Sequence, residues 1–306
     1  MSKLSPSALV PYAGMILLMI LTGLLSLLLI SPVTEAGLGA FEDPNSIANP
    51  FVFLFIMLVF TALLLLLIKW KAQSIISAII GICLALVIYY VVSSLLFSYA
   101  PTLPALPIAA VAAIVVILLL WYRPEWYVIN IAGILISAGC AAIFGISLSI
   151  IPVIILLILL LVYDAISVHR TKHMLTLADG VLRQKMPIMF IVPKSRSYSY
   201  RSSGFSIHDK KEDRGAYMIG MGDMIMPSIL VVSAQVYAGG AGVLSFAGIA
   251  LPALGALIGG VLGLCFLLIP VNTGKPQPGL PYINAGAIVG FLICCAIAGS
   301  WAWIGF

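Results

Sequence analysis

LLVYDAIS (160–167) and IGMGDMIM (219–226) each set one aspartate, Asp164 and Asp223, into a stretch otherwise apolar enough for a membrane interior. An ionised carboxylate at the centre of a spanning helix costs roughly 2.5–3.5 kcal/mol on insertion scales, so such residues usually mark function. The two sit on consecutive apolar segments, each toward the same end of its helix. Consecutive spans run in opposite directions. The two carboxylates can therefore meet at one depth, as acid–base chemistry with a shared proton requires.

The rest of the chain has a matching composition. Its 306 residues are 63% hydrophobic and 8% charged, with mean hydropathy +1.21. These values exclude a soluble globular protein and indicate a polytopic, all-α membrane protein. Apolar runs of about 18 or more residues mark nine spans: 12–31, 51–68, 73–98, 104–122, 126–147, 150–168, 216–237, 241–270 and 282–304. The first run is too long for a signal-peptide core and lacks a small-residue cleavage site, so it reads as a helix. Between the fifth and sixth, Gly145 to Pro152 must hold a very tight turn. The chain reads as one membrane domain in three parts: 1–149 with five helices, 150–237 with the two aspartate helices, and 238–306 with the last two.

With nine spans, all 15 Lys and Arg residues fall on one side: Lys3, Lys69, Lys71, Arg123, ten in the loop 169–215, and Lys275. The other side carries Glu35, Glu42 and Asp43 and no basic residue. The positive-inside rule then puts the N-terminus in the cytosol and the C-terminus outside. The net charge of +5 reports this orientation and points to no nucleic acid. The five cysteines (Cys83, Cys140, Cys265, Cys294, Cys295) form no C-x-x-C pair, so neither a disulfide framework nor a zinc site is indicated. Nothing indicates a cofactor. Trp126, Trp301 and Trp303 read as interfacial anchors, and Asn130 as interhelical glue within the fifth helix.

The loop 169–215 is the only long connection, and its SRSYSYRSSG stretch reads as disordered. PIMFIVP (187–193) within it is too short to span. Its β-branched and aromatic content suits either an interfacial anchor or a strand lying near the aspartates.

Asp164 lies five residues before His169, about 7.5 Å along a helix, and Asp223 lies nine residues after Arg214, roughly 8–13 Å in. Two close carboxylates cannot both ionise cheaply, so one holds a proton. The ionised one can take a proton from water while the neutral one donates to a carbonyl oxygen, which is metal-free peptide hydrolysis. The blander reading, that each Asp pairs locally, lacks a cation inside either helix; His169 and Arg170 stand at the rim. Gly220 and Gly222 precede Asp223 and would allow close helix approach and a freer backbone there.

Tyr163–Asp164 on the sixth helix, Gly220-x-Gly222-Asp223 on the seventh and a proline motif before the ninth resemble the presenilin and signal peptide peptidase family of intramembrane aspartyl proteases. The family's P-A-L motif belongs at the cytosolic start of the ninth helix, where this chain reads Pro278-Gly279-Leu280-Pro281. Glycine replaces the alanine. The literal string Pro252-Ala253-Leu254 falls in the eighth helix and reads as coincidence.

The resemblance implies Asp164 and Asp223 as a catalytic dyad and the Pro278 segment as a substrate-positioning element. It implies transmembrane protein substrates and the lipid bilayer as partners, with a homo-oligomer allowed and obligate partner subunits not implied. The cytosolic N-terminus and short connections look like a microbial, especially archaeal, presenilin homologue in the cell membrane of a prokaryote. A substrate helix must unwind before water can attack. A strand from Met186 to Val192, or the backbone around Pro278–Pro281, could pair with the unwound segment. The same apolar segment could occupy the site at rest, or be self-cleaved as in presenilin.

The competing class is an ion- or proton-coupled transporter or channel using the same aspartates. Transporters favour midplane sites within inverted repeats, and no repeat of either aspartate segment stands in the first half. A metal site at His169 and His173 lacks an acidic or Cys partner at useful spacing. Neither H-E-x-x-H nor G-x-S-G occurs. Tyr163 can hydrogen-bond near the dyad or simply pack.

Overall fold

The computed structural model describes residues 6–168, 189–195, 198–200, 215–240, 243–271 and 277–304. Lys3, His169, Arg170, His173, Met186, Pro187, Ile188, Arg214 and Lys275 lie outside the described residues. The chain forms α1 (Pro6–Leu28), a six-residue helical turn (Ile30–Glu35), α2 (Ala48–Lys69), α3 (Gln73–Tyr99), α4 (Ala105–Tyr122), α5 (Trp126–Ser147) and α6 (Ile150–Ile166). Strands β1 (Met189–Pro193) and β2 (Ala216–Gly220) follow, then α7 (Met221–Ser233) with a π-helical continuation Ala234–Ala238. A small hairpin of β3 (Ser245–Phe246) and β4 (Ile249–Ala250) leads into α8 (Leu251–Val271), and α9 (Leu280–Ala298) completes the bundle.

Eight helices among the described residues are long and apolar enough to cross a membrane. The remaining one, α6, is an apolar helix of 17 residues, about 25 Å long. In α5 and in α7 with its π turn, 61% of the span is buried, against 11% in α2. The former two are therefore the inner helices, and α2 presents most of its apolar surface outward.

Three boundaries differ from the hydropathy reading. Residues 216–220 are a strand and not the first turn of a helix, because AYMIG pairs antiparallel with MFIVP, Met189 opposite Gly220 and Pro193 opposite Ala216. The span read as 241–270 begins as a helix only at Leu251. Ahead of it the hairpin turns through Ala247 (φ 51°) and Gly248 (φ 80°), the left-handed pair that a two-residue β-turn of type I′ needs. The last span ends at Ala298, where Gly299 adopts φ 64° as a left-handed C-cap. The fold is thus mostly helical, with two small two-stranded sheets where all-α was expected.

The tightest packing joins α8 to α9. A Cβ placed on Gly255 would lie 2.4 Å from the Gly290 carbonyl oxygen, on Gly259 2.2 Å from that of Gly286, and on Gly263 2.3 Å from that of Tyr282. Five glycines at i, i+4 spacing therefore bring the two backbones into direct contact, the small-residue packing that membrane helices favour without a hydrophobic driving force. This contact holds the first turn of α9 in place. Substituting Gly259→Leu forces the helices apart. We expect a loss of about 1–3 kcal/mol or more, read as a lower Tm of the purified protein in detergent; an unchanged Tm would contradict this packing.

Candidate active site

Asp164 lies in the last turn of α6 and is buried, 6% exposed. Asp223 is the third residue of α7 and is half-buried. Strand β2 runs directly into that helix, so Asp223 sits at a helix start and not two turns inside one. Gly220 is the N-cap, and its N–H donates to the Asp223 carboxylate. An acidic side chain at the third helical position reaching back to the N-cap amide is half of a capping box, and negative charge is favoured at this end of a helix. Four residues on, Pro227 has no N–H to offer the Asp223 carbonyl, which frees the backbone beside the carboxylate.

The start of α9 touches both aspartates. The Leu280 N–H donates to Asp164 Oδ2 at 3.2 Å. One residue earlier, a Cβ on Gly279 would fall 2.7 Å from Asp223 Oδ2 and 3.0 Å from its Oδ1. Gly279 has φ −79° and ψ −46°, open to any residue, so the glycine serves space and not backbone freedom: the Asp223 carboxylate rests where a methyl group would be. The two carboxylates lie within each other's electrostatic influence. Leu280 is the first helical residue and Pro281 the second. Proline supplies no amide, so the orphan N–H of Leu280 is satisfied by Asp164. Pro278, Gly279 and Leu280 are buried and Pro281 is half-buried.

The other singled-out residues stand as follows. Tyr163 turns to α2, where its hydroxyl hydrogen-bonds the Thr61 side chain. Gly222 has no described residue within 4 Å of the position a Cβ would take. The close helix approach expected at Gly220 and Gly222 is made instead by the α8–α9 glycines. Pro252–Leu254 lies in the first turn of α8, and Gly263, nine residues beyond Leu254 and near the middle of that helix, contacts the start of α9. The string is thus roughly 14 Å along α8 from that contact.

Asn130 is not interhelical glue. Its Nδ2 donates to the Ile191 carbonyl at 2.7 Å, and the Ile191 N–H donates to its Oδ1 at 2.9 Å. In this sheet the Lys194 N–H donates to the Gly215 carbonyl, next in register beyond Pro193 and Ala216. Alternation then makes Val192–Tyr217 and Phe190–Ile219 the other hydrogen-bonded pairs and turns the Ile191 polar groups away from β2, where Asn130 meets them. Pro193, lacking an N–H, falls at a position that faces away from β2 as well. By the same alternation the Met218 N–H and C=O point outward from β2, with no backbone partner among the described residues. The stretch read as disordered is docked where described: Tyr200 is buried, and Ser199 Oγ and the Tyr200 N–H donate to the Glu125 carboxylate at 2.8 and 3.3 Å.

The family profile described as signal-peptide peptidase, presenilin aspartyl protease matches residues 16–300. A solved presenilin family intramembrane aspartate protease in a C222 crystal form shares 40% sequence identity and superposes with a TM-score of 0.70, covering 94% of this chain and 100% of that one. A structure in a P2 form, bearing the same description, shares 42% identity with a TM-score of 0.68, covering 93% and 97%. No curated protein matches. The ion-coupled transporter reading gains no support from these matches. A match over nearly the whole length, at this identity, places the chain in the signal peptide peptidase and presenilin family of intramembrane aspartyl proteases.

Proposed function

We propose that Asp164 and Asp223 are the catalytic pair of this aspartic endopeptidase and that they cleave transmembrane helical substrates by activating water directly. The observation that carries the reading is the contact of one dipeptide, Gly279–Leu280, with both carboxylates. One aspartate holds the proton of the pair and the other is ionised. The ionised carboxylate takes a proton from water as the oxygen attacks the peptide carbon. The protonated one donates to the carbonyl oxygen, and the proton taken from water passes to the leaving amine. Pro278, Gly279, Leu280 and Pro281 act as the positioning element, with Leu280 holding Asp164 and Gly279 leaving room for Asp223. Gly222, with no described residue within 4 Å of the place a Cβ would take, leaves room for the peptide beside Asp223.

A substrate must be extended to be cut, and the edge that suits it is that of β2. The outer edge of β1 is occupied at Ile191 by Asn130, whereas Met218 offers an outward N–H and C=O two residues before Gly220. The unwound substrate adds as a further strand there, which carries its peptide bonds toward Asp223.

The membrane arrangement belongs to the same proposal. We count α6 as a span, giving nine, with the N-terminus cytosolic and the C-terminus outside. This is supported by the fall of all 15 basic residues on one side of such a topology. The cell membrane of a prokaryote is the expected setting. Obligate partner subunits are not required and a homo-oligomer is compatible.

Cleavage of a single-span substrate by the purified protein tests the pair. Asp164→Asn and Asp223→Asn should each abolish it; survival of cleavage in both variants would overturn the reading. The pH profile should have one optimum. On its acid side both carboxyls are protonated and no base remains, and on its alkaline side both are ionised and no acid remains. A rate that rises without turning over across the acid-to-alkaline range would contradict a shared proton. Met218→Pro removes only an outward amide and leaves the pairing of β2 with β1 intact. We expect a fall in kcat/KM of about tenfold with an unchanged Tm, on the scale of one buried hydrogen bond; full activity would place the substrate elsewhere.

A further inference from the structure

The Asn130 amide gives Ile191 what a neighbouring strand would give: an acceptor for its N–H and a donor for its carbonyl, 2.9 and 2.7 Å away. Helix α5 thus acts as a third strand at one position, in the middle of the five-residue β1. One face of β1, that of Phe190 and Val192, is held differently, by notches. Phe190 is fully buried and lies where Gly133 has no side chain; a Cβ there would be 2.9 Å from Phe190 Cε1 and from Met221 Cε. Val192 fits against Gly14 of α1, where a Cβ would be 2.7 Å from Cγ1. The apolar notches fix which face points inward and so exclude a slip of one residue, which would reverse every side chain. A slip of two keeps the face, and it is this slip that the Asn130 amide opposes, because it carries Ile191 away from both hydrogen bonds. Register then passes along the chain. Residue Met189 opposes Gly220, Gly220 caps α7, and its N–H holds the Asp223 carboxylate.

We propose that Asn130 is a positioning residue that selects the scissile bond, by fixing the lengthwise register of the sheet on which the substrate strand is laid. The inference rests on the reading that substrate pairs with the outer edge of β2. Asn130 itself touches neither substrate nor the reacting atoms; it acts through Ile191, Met218 and Gly220. Its loss should therefore change where the substrate is cut, and not only how fast.

The test is mass spectrometry of the products that the full-length protein releases from a single-span substrate of known sequence. With the parent, one product pair should dominate. Asn130→Ala should spread cleavage over neighbouring peptide bonds, with the ratio of main to secondary products falling about fivefold, the scale set by a buried hydrogen bond. Asn130→Asp keeps the acceptor for the Ile191 N–H and loses the donor, so its spread should be intermediate. Gly133→Ala displaces Phe190 without touching the amide and should broaden the pattern in the same way. Yields that fall in equal proportion for every product, or patterns unchanged in all three variants, would overturn the proposal. If parent products persist in Asp223→Asn, the catalytic reading has failed. If Met218→Pro is without effect, the pairing reading has failed. If both of those controls behave as expected while the Asn130 pattern stays fixed, only the present inference falls.

Discussion

Two carboxylates at the ends of apolar membrane helices need polar partners that hydrocarbon cannot supply, and here the backbone provides them. The start of α9 gives Asp164 an amide at Leu280 and gives Asp223 the space of a missing methyl at Gly279. The start of α7 gives Asp223 its amide, at Gly220. Helix beginnings carry unsatisfied N–H groups and partial positive charge, so each is a natural seat for an acidic group. Among the described residues these partners are main-chain amides, which hold a carboxylate without adding a charge to it.

That arrangement depends on packing at some distance from it. Leu280 stands where it does because glycines 255, 259 and 263 of α8 let the backbone of α9 come into contact. Asp223 stands where it does because β2 is paired to β1, and β1 is fastened to α5 by Asn130 and seated on Gly14 and Gly133. Two separate supports therefore converge on one pair of carboxylates. One is a helix hairpin built of glycine, and the other is a short sheet docked on inner helices. In the reading proposed above, the substrate pairs with this same sheet, which joins substrate capture to the placement of Asp223.

Much of this was legible in the sequence, and the physics explains which parts. Spans of apolar residues must be helical in lipid, so hydropathy located them well. The aspartates were conspicuous because ionisable residues there are costly. The stretch Pro278–Leu280 was found through a motif, but its contacts with both aspartates depend on tertiary geometry that no local pattern contains. Hydropathy failed where an extended segment is as apolar as a helix. AYMIG is a strand only because MFIVP, more than twenty residues away, pairs with it. Asn130 was misjudged for the same reason: its partner is the backbone of that strand, not a neighbouring helix. The α8–α9 glycines do carry a signal, the spacing Gly255, Gly259, Gly263 with Gly286, Gly290, though it is hard to separate from the background of 27 glycines.

The central claim is that Asp164 and Asp223 jointly stabilise a tetrahedral centre formed by water and a peptide carbon. The most direct measurement is the affinity of a peptide whose scissile amide is replaced by a hydroxyl-bearing tetrahedral isostere, compared with the matching amide on the same purified protein. The account predicts binding tighter by about a hundredfold or more, as for transition-state analogues generally, with the advantage lost when either aspartate becomes asparagine. Equal affinity for the two peptides, or an advantage that survives both substitutions, would contradict it.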